Sequence, residues 1–167
     1  MLGDGITDDT AAINAAIAAG TRCKPGAPGV GCQSSTISPA TVYFPAGTYL
    51  ISAPIVQYYM TNLIGNPNPG QMAVLKATAG FSGIALIDSN PYLSADPAYG
   101  ATNVFYRQVR NLVFDTTNQP AGTVARGIHW PTAQATSIQN CVFKMSQVSG
   151  NKHQGVFIEN GQLGLCI

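Results

Sequence analysis

The chain has 167 residues, of which only 9% are charged, and its formal net charge is +1. So sparse and balanced a set of charges argues against a nucleic-acid surface, which needs clustered lysine and arginine; Arg107 and Arg110 come nearest to a cluster. It also argues against long solvated helices, and no apolar run approaches the ~20 residues that span a bilayer.

Taken in chain order, the first element is a helix expected over 7–20. Thr7 stands at its N-cap, Asp8 and Asp9 lie in its first turn, Ile13 and Ile17 form an apolar stripe, and Gly20 closes it. Asp4, Asp8 and Asp9 are therefore read as turn and capping residues. Residues 21–40 form a loop in which Cys23 and Cys32 bracket a Gly- and Pro-rich segment. A disulfide closing that loop is favoured, with zinc as the alternative; the spacing is not CxxC and no histidine lies nearby.

Short strands are expected next at 41–44, 48–51, 55–60, 62–65, 72–77 and 84–88, with a turn at 66–70. Residues 90–100 carry two prolines and a glycine. They read as an excursion that can wall a groove.

A repeat follows. Val109-Arg110-Asn111-Leu112-Val113-Phe114 is echoed by Ile138-Gln139-Asn140-Cys141-Val142-Phe143, with the asparagines 29 residues apart. Gly127-Ile128-His129-Trp130 is answered after 28 residues by Gly155-Val156-Phe157-Ile158. Two strand-like segments repeating at nearly one period imply a coil of that length. The 18 glycines and 11 prolines suit many short strands joined by turns. The expected fold is all-β: a right-handed, single-stranded parallel β-helix with an N-terminal capping helix. It forms one domain over 1–167, with coils from 41 to 167 and an incomplete C-terminal end. Asn111 and Asn140 are expected to satisfy backbone groups at tight turns and to bond to one another between coils. Cys141 takes the inward position of Leu112, and Cys166 is expected one coil above it, as a disulfide partner or a stacked thiol.

The opening Gly3-Asp4-Gly5-Ile6-Thr7-Asp8-Asp9-Thr10-Ala11-Ala12-Ile13 resembles the motif near the N-terminus of pectate-lyase-like β-helix proteins. Several further stretches resemble the fungal branch containing glycoside hydrolase family 55. They are the Cys23–Cys32 loop, Ala40-Thr41-Val42-Tyr43-Phe44-Pro45-Ala46-Gly47-Thr48-Tyr49, Arg126-Gly127-Ile128-His129-Trp130, Gln134-Ala135-Thr136-Ser137 and His153-Gln154-Gly155-Val156-Phe157-Ile158-Glu159-Asn160-Gly161. The resemblance implies a secreted, exo-acting, inverting β-1,3-glucanase of fungal cell-wall type, built from two β-helical domains, with the general acid on the second. Met1-Leu2 stands where the family has a leader and an earlier strand, and residues 161–167 depart from the family's Gly-Ser-Gly-Gly continuation. The expectation is an N-terminal fragment, inactive alone, whose partners are a β-1,3-glucan and the second domain. Nucleic acid and membrane are not expected as partners.

Among the acids, Glu159 is the single catalytic candidate. Asp88, Asp96 and Asp115 have no partner by spacing. If the coils stack as the repeat predicts, His129, Gln134, Gln154 and Glu159 share a face, and Trp130 offers a ring to a sugar. The resemblance implies that Gln134 and Gln154 position substrate or water. No metal or cofactor is expected, because the acids are scattered. Two other readings stand beside this one: another pectin-active hydrolase or lyase, and a non-catalytic module that binds polysaccharide or builds a spike.

Overall fold

Short strands separated by turns recur here in a fixed cycle of three. The computed structural model describes residues 1–25, 38–93, 96–98, 104–131, 134–159 and 165–166. Strand β1 (Asp4–Asp8) and helix α1 (Thr10–Ala18) come first. The first coil is β2 (Ala40–Phe44), β3 (Thr48–Ile51) and β4 (Ile55–Val56), and the second is β5 (Thr61–Gly65), β6 (Ala73–Ala77) and β7 (Ile87–Asp88). An excursion then carries an antiparallel ribbon of β8 (Tyr92–Leu93) and β9 (Asp96–Pro97). The third coil is β10 (Gln108–Arg110), β11 (Leu112–Asp115) and β12 (Arg126–His129). The fourth is β13 (Thr136–Gln139), β14 (Val142–Lys144) and β15 (Gln154–Phe157), after which β16 (Leu165–Cys166) begins another turn.

Corresponding strands of successive coils pair in parallel and build three sheets: β1-β3-β6-β11-β14, β2-β5-β10-β13-β16 and β4-β7-β12-β15. This is a parallel β-helix. Its core is a set of stacked columns. Val42, Leu63, Val109 and Ile138 are in register on the second sheet. Tyr49, Leu75, Phe114 and Phe143 stack on the first, and Ile55, Ile87, Ile128 and Val156 on the third. Nearly all of these side chains are buried, and each column removes apolar surface from water continuously along the axis.

The repeated segments meet as their echo predicts: Val109 lies against Ile138, Phe114 against Phe143, and Ile128 against Val156. Asn111 and Asn140 both adopt left-handed φ values, 58° and 49°, at the corner between the second and first sheets. Asparagine tolerates that conformation better than most residues. Asn140 Nδ2 donates to Asn111 Oδ1 at 2.9 Å, and Asn111 Nδ2 donates to the Gly65 carbonyl at 3.3 Å. The corner is thus held by a ladder of amides. Gly65 is needed beneath it, since a Cβ there would lie 2.1 Å from the Asn111 carbonyl oxygen.

The cap differs from expectation in its start. The helix begins at Thr10, and Thr7 belongs to β1, which pairs with β3 through Asp8 opposite Leu50. The cause is local. Asp4 Oδ1 accepts the amides of Ile6 and Thr7, which bends the chain into the strand. Asp8 Oδ1 then accepts the amide and hydroxyl of Thr10. The turn roles of Asp4 and Asp8 hold, but the N-cap residue is Asp9, which makes no side-chain cap hydrogen bond, and no acid lies in the helix's first turn. Ile13 and Ile17 are fully buried, and Asn14 bonds both the Val56 amide and the Pro54 carbonyl, so the helix covers the edge of β4. Arg22 ties the helix end to the first turn of coil, donating to the carbonyls of Ile17, Ser38 and Tyr59 and to the Thr61 hydroxyl.

Two further expectations change. The strand expected at 55–60 stops at Val56, and Met60 takes a φ of 52° that turns the chain into β5. Cys166 stands in register with Ser137, four positions before Cys141, so it does not stack on Cys141, which is a free thiol. Cys32 lies outside the described residues, and with it the expected Cys23–Cys32 pairing.

Candidate functional site

Beside the inward isoleucine column of the third sheet runs a second column in register: Val56, Asp88, His129 and Phe157. Alternation along a strand turns these side chains away from the core. At its centre is His129, completely buried. Its ring is stacked between Tyr92, with centroids 5.8 Å apart, and Phe157, at 5.5 Å. Tyr92 comes from the excursion and Phe157 from the next coil, so the sandwich joins three parts of the chain.

The imidazole has a carboxylate at each nitrogen. Nδ1 lies 2.9 Å from Asp88 Oδ1, a hydrogen bond in which the nitrogen donates. Nε2 lies 3.3 Å from Glu159 Oε2, an ion-pair distance but out of line for a hydrogen bond. The Tyr92 hydroxyl donates to the same Glu159 oxygen. That bond, the partial burial of the phenol and the carboxylate beside it push the Tyr92 hydroxyl up to about 12. Asp88 is only 4% exposed, whereas the Glu159 side chain retains 25% of its surface. Glu159 is therefore the more solvent-accessible of the two carboxylates, and Asp88 is the one bonded to the ring. The two acids lie against opposite nitrogens of one imidazole and do not converge on a common ion. Among the described residues no group of three histidine, cysteine or acidic side chains is arranged to hold a metal.

A neighbouring contact orders the near end of β15. Arg126 Nε donates to Gln154 Oε1 at 2.7 Å, and its guanidinium lies 4.2 Å over the Phe157 ring. Gln154 is exposed. A cleft of about 360 Å³ opens beside Tyr92 and Asp88, with Pro54, Val56, Ile84 and Pro91 as its other walls. A second hollow of about 260 Å³ shares Val56 and Pro91 and continues toward Asn14 and Lys24 at the cap. The two hollows adjoin at Val56 and Pro91.

The expected site residues divide. His129 and Glu159 come together, and Gln154 shares their sheet. Gln134 lies elsewhere: its backbone bonds Val104 and bridges Phe105, at the entry to β13. Trp130 is fully buried and its Nε1 donates to the Thr136 hydroxyl at 3.3 Å, so its ring is not offered to a sugar. It has the parity of Ile128, and that column faces the core. Two residues escaped the sequence reading, Asp88 and Tyr92. The only signal for Asp88 was its place at the end of a strand, and for Tyr92 its place in the excursion.

A family model described as rhamnogalacturonase A/epimerase, pectate lyase-like, matches residues 1–166. The chain is 49% identical over 164 residues to a glucan 1,3-beta-glucosidase of Cochliobolus carbonum, covering 97% of this chain and 20% of that protein. It is 49% identical over 165 residues to a probable glucan endo-1,3-beta-glucosidase of Arthroderma benhamiae, covering 97% of this chain and 18% of that protein. It is also 47% identical over 163 residues to the non-secreted LysM effector LysM19 of Penicillium expansum, covering 97% of this chain and 12% of that one. The chain thus spans a fifth or less of the length of these relatives. Among solved structures, ORF18 of Geobacillus virus E2 superposes with a TM-score of 0.54 at 21% identity, over 83% of this chain and 23% of that one, a likeness of fold. Among the described residues no helix is long and apolar enough to cross a membrane.

Proposed function

This chain belongs to the rhamnogalacturonase A/epimerase, pectate-lyase-like family, and from that premise we propose that it is the N-terminal β-helical part of a glycoside hydrolase acting on β-1,3-glucan. The carrying observation is near-half identity, over almost the whole chain, to a protein named glucan 1,3-beta-glucosidase. The cleft on the third sheet, with a reachable carboxylate beside it, supports the same reading.

In the proposed protein the action is exo and inverting, and the general acid comes from a second β-helical domain. An inverting pair of carboxyl groups stands ~6.5–9.5 Å apart so that a water fits between sugar and base. Asp88 lines the cleft but is nearly buried and bonded to His129, so Glu159, the more exposed of the two, is the acid this chain offers. Gln134 and Gln154 hold water or substrate. Cys23 and Cys32 close their loop as a disulfide, and the full-length protein is secreted.

The test compares the full-length polypeptide with this chain alone on laminarin. Glucose release by the longer protein, with inverted anomeric configuration by proton NMR and none by the chain alone, is the expected result. Release from rhamnogalacturonan in preference to laminarin overturns the reading, and robust glucose release by the isolated chain overturns the placement of the acid. Non-reducing peptide mapping checks the disulfide, and mass spectrometry of culture supernatant checks secretion.

A second reading has one observation in its favour. The same module, at 47% identity, sits within a polypeptide described as a non-secreted LysM effector. A β-helical unit that binds polysaccharide without cleaving it fits that setting. A full-length protein that sediments with insoluble β-1,3-glucan and releases no sugar supports this reading over the first.

A further inference from the structure

Tyr92 is held in an unusual way for a residue of a surface excursion. One face of its ring stacks on the buried imidazole of His129, and its hydroxyl is tied to Glu159. Yet the residue is 43% exposed and forms a wall of the 360 Å³ cleft. A ring fixed on one side and open on the other has already lost its rotational freedom before a ligand arrives. Stacking on it therefore costs little further ordering. The remaining walls are the apolar Pro54, Val56, Ile84 and Pro91 together with the carboxylate of Asp88, and Glu159 borders the cleft through its bond to the Tyr92 hydroxyl.

We propose that this cleft is a subsite for one neutral pyranose ring, with Tyr92 as its stacking platform and Glu159 as acceptor for a sugar hydroxyl. The ligand class follows from shape and charge. A pyranose carries C–H bonds on one face, which suit an aromatic surface, and hydroxyls around its rim, which suit a carboxylate. The Asp88 carboxylate in the wall, with Glu159 behind the Tyr92 hydroxyl, disfavours a uronate ring, and Lys24 lines the adjoining hollow and not this cleft. The subsite thus selects glucan-like chains over acidic pectic ones. Tyr92 supplies the open aromatic face that buried Trp130 does not. This inference rests on the β-1,3-glucan reading and adds to it a place and a basis for selectivity.

Saturation-transfer NMR on this chain tests it, with laminaritriose and trigalacturonate as probes, for the wild type, Tyr92→Ala, Tyr92→Phe and Glu159→Gln. Laminaritriose is expected to bind the wild type, with affinity falling about tenfold in Tyr92→Ala and less in Tyr92→Phe, which keeps the ring and loses the tie. Trigalacturonate is expected to bind weakly to the wild type and more tightly to Glu159→Gln. Thermal unfolding of each variant separates lost binding from lost fold. Laminaritriose binding that survives Tyr92→Ala unchanged overturns the subsite while leaving the glucan reading intact. Preferential binding of trigalacturonate that Tyr92→Ala abolishes overturns the claim of neutrality. No binding of either sugar by a folded wild type overturns the subsite, and laminarin hydrolysis by the full-length protein then shows whether the glucan reading survives.

Discussion

Asp4, Asp8 and Asp9 in the cap and Asp88 and Glu159 on the third sheet are held in contrasting ways. The cap acids satisfy themselves mainly on their own neighbourhood. Asp4 accepts from Ile6 and Thr7, Asp8 from Thr10, and Asp9 from the amides of Leu2 and Gly3. Only Asp8 also reaches across, to the Ser52 hydroxyl at 2.5 Å. The sheet acids also reach far along the chain, Asp88 beside a local bond to the Asn90 amide. Asp88 meets an imidazole 41 residues on, and Glu159 a phenol 67 residues back. Acids that bond to nearby amides shape turns. Acids that meet aromatic and imidazole groups from other coils depend on the whole stack, and only these stand beside a cleft.

Substitutions that strip one kind of support and spare the other sharpen this contrast. The largest effect is expected for His129→Ala, which leaves the buried Asp88 with the Asn90 amide but without the imidazole, and should lower stability by about 3 kcal/mol in urea unfolding. Asp9→Ala is expected to cost less, about 1–3 kcal/mol, because the two amides it frees belong to exposed Leu2 and half-buried Gly3, which water can reach. Equal losses in the two variants would dissolve the distinction.

A smaller effect lies in acid. Hydrogen bonds from Ser52 and Thr10 hold the Asp8 carboxyl below its ordinary value of 3.8, and those from Thr7 and Ile6 do the same for Asp4. A lowered carboxyl contributes stability that is present above the ordinary value and is lost as pH falls through the folded one. Unfolding followed below pH 3.8 should therefore show a decline that Asp8→Asn makes shallower. The smallest effect is in base. The raised Tyr92 hydroxyl contributes stability that is complete below 10 and lost as pH rises toward about 12. Burial also raises the phenols of Tyr49, Tyr58 and Tyr59, so ultraviolet titration is compared between wild type and Glu159→Gln, in which the Tyr92 phenol should move from about 12 toward the ordinary range.

The same contrast explains what the sequence made legible. The echo of Val109–Phe114 in Ile138–Phe143 gave the register of the third and fourth coils and the amide ladder, because those coils have nearly equal length. The cap was legible from Asp4 to Ile17, although its first helical residue was displaced by a strand that depends on Leu50 for its pairing. The imidazole cluster was not legible. The excursion lengthens the path from Asp88 to His129 to 41 residues, which breaks the period that linked the later coils. Trp130 was misplaced for a simpler reason. Alternation from inward Ile128 sends Trp130 inward and His129 outward, so residue type alone does not make the tryptophan a sugar platform.

Phe143 has a consequence for the tolerance of the site. A Cβ on Gly127 would lie 2.7 Å from its ring, and one on Gly155 only 3.2 Å. Gly127 and Gly155 stand on β12 and β15, which pair directly, and the Phe143 ring fills the space that a side chain on either would need. A side chain at Gly127 would have to displace that ring two residues from His129. What the outer surface tolerates is thus decided by what already occupies the inside of the coil.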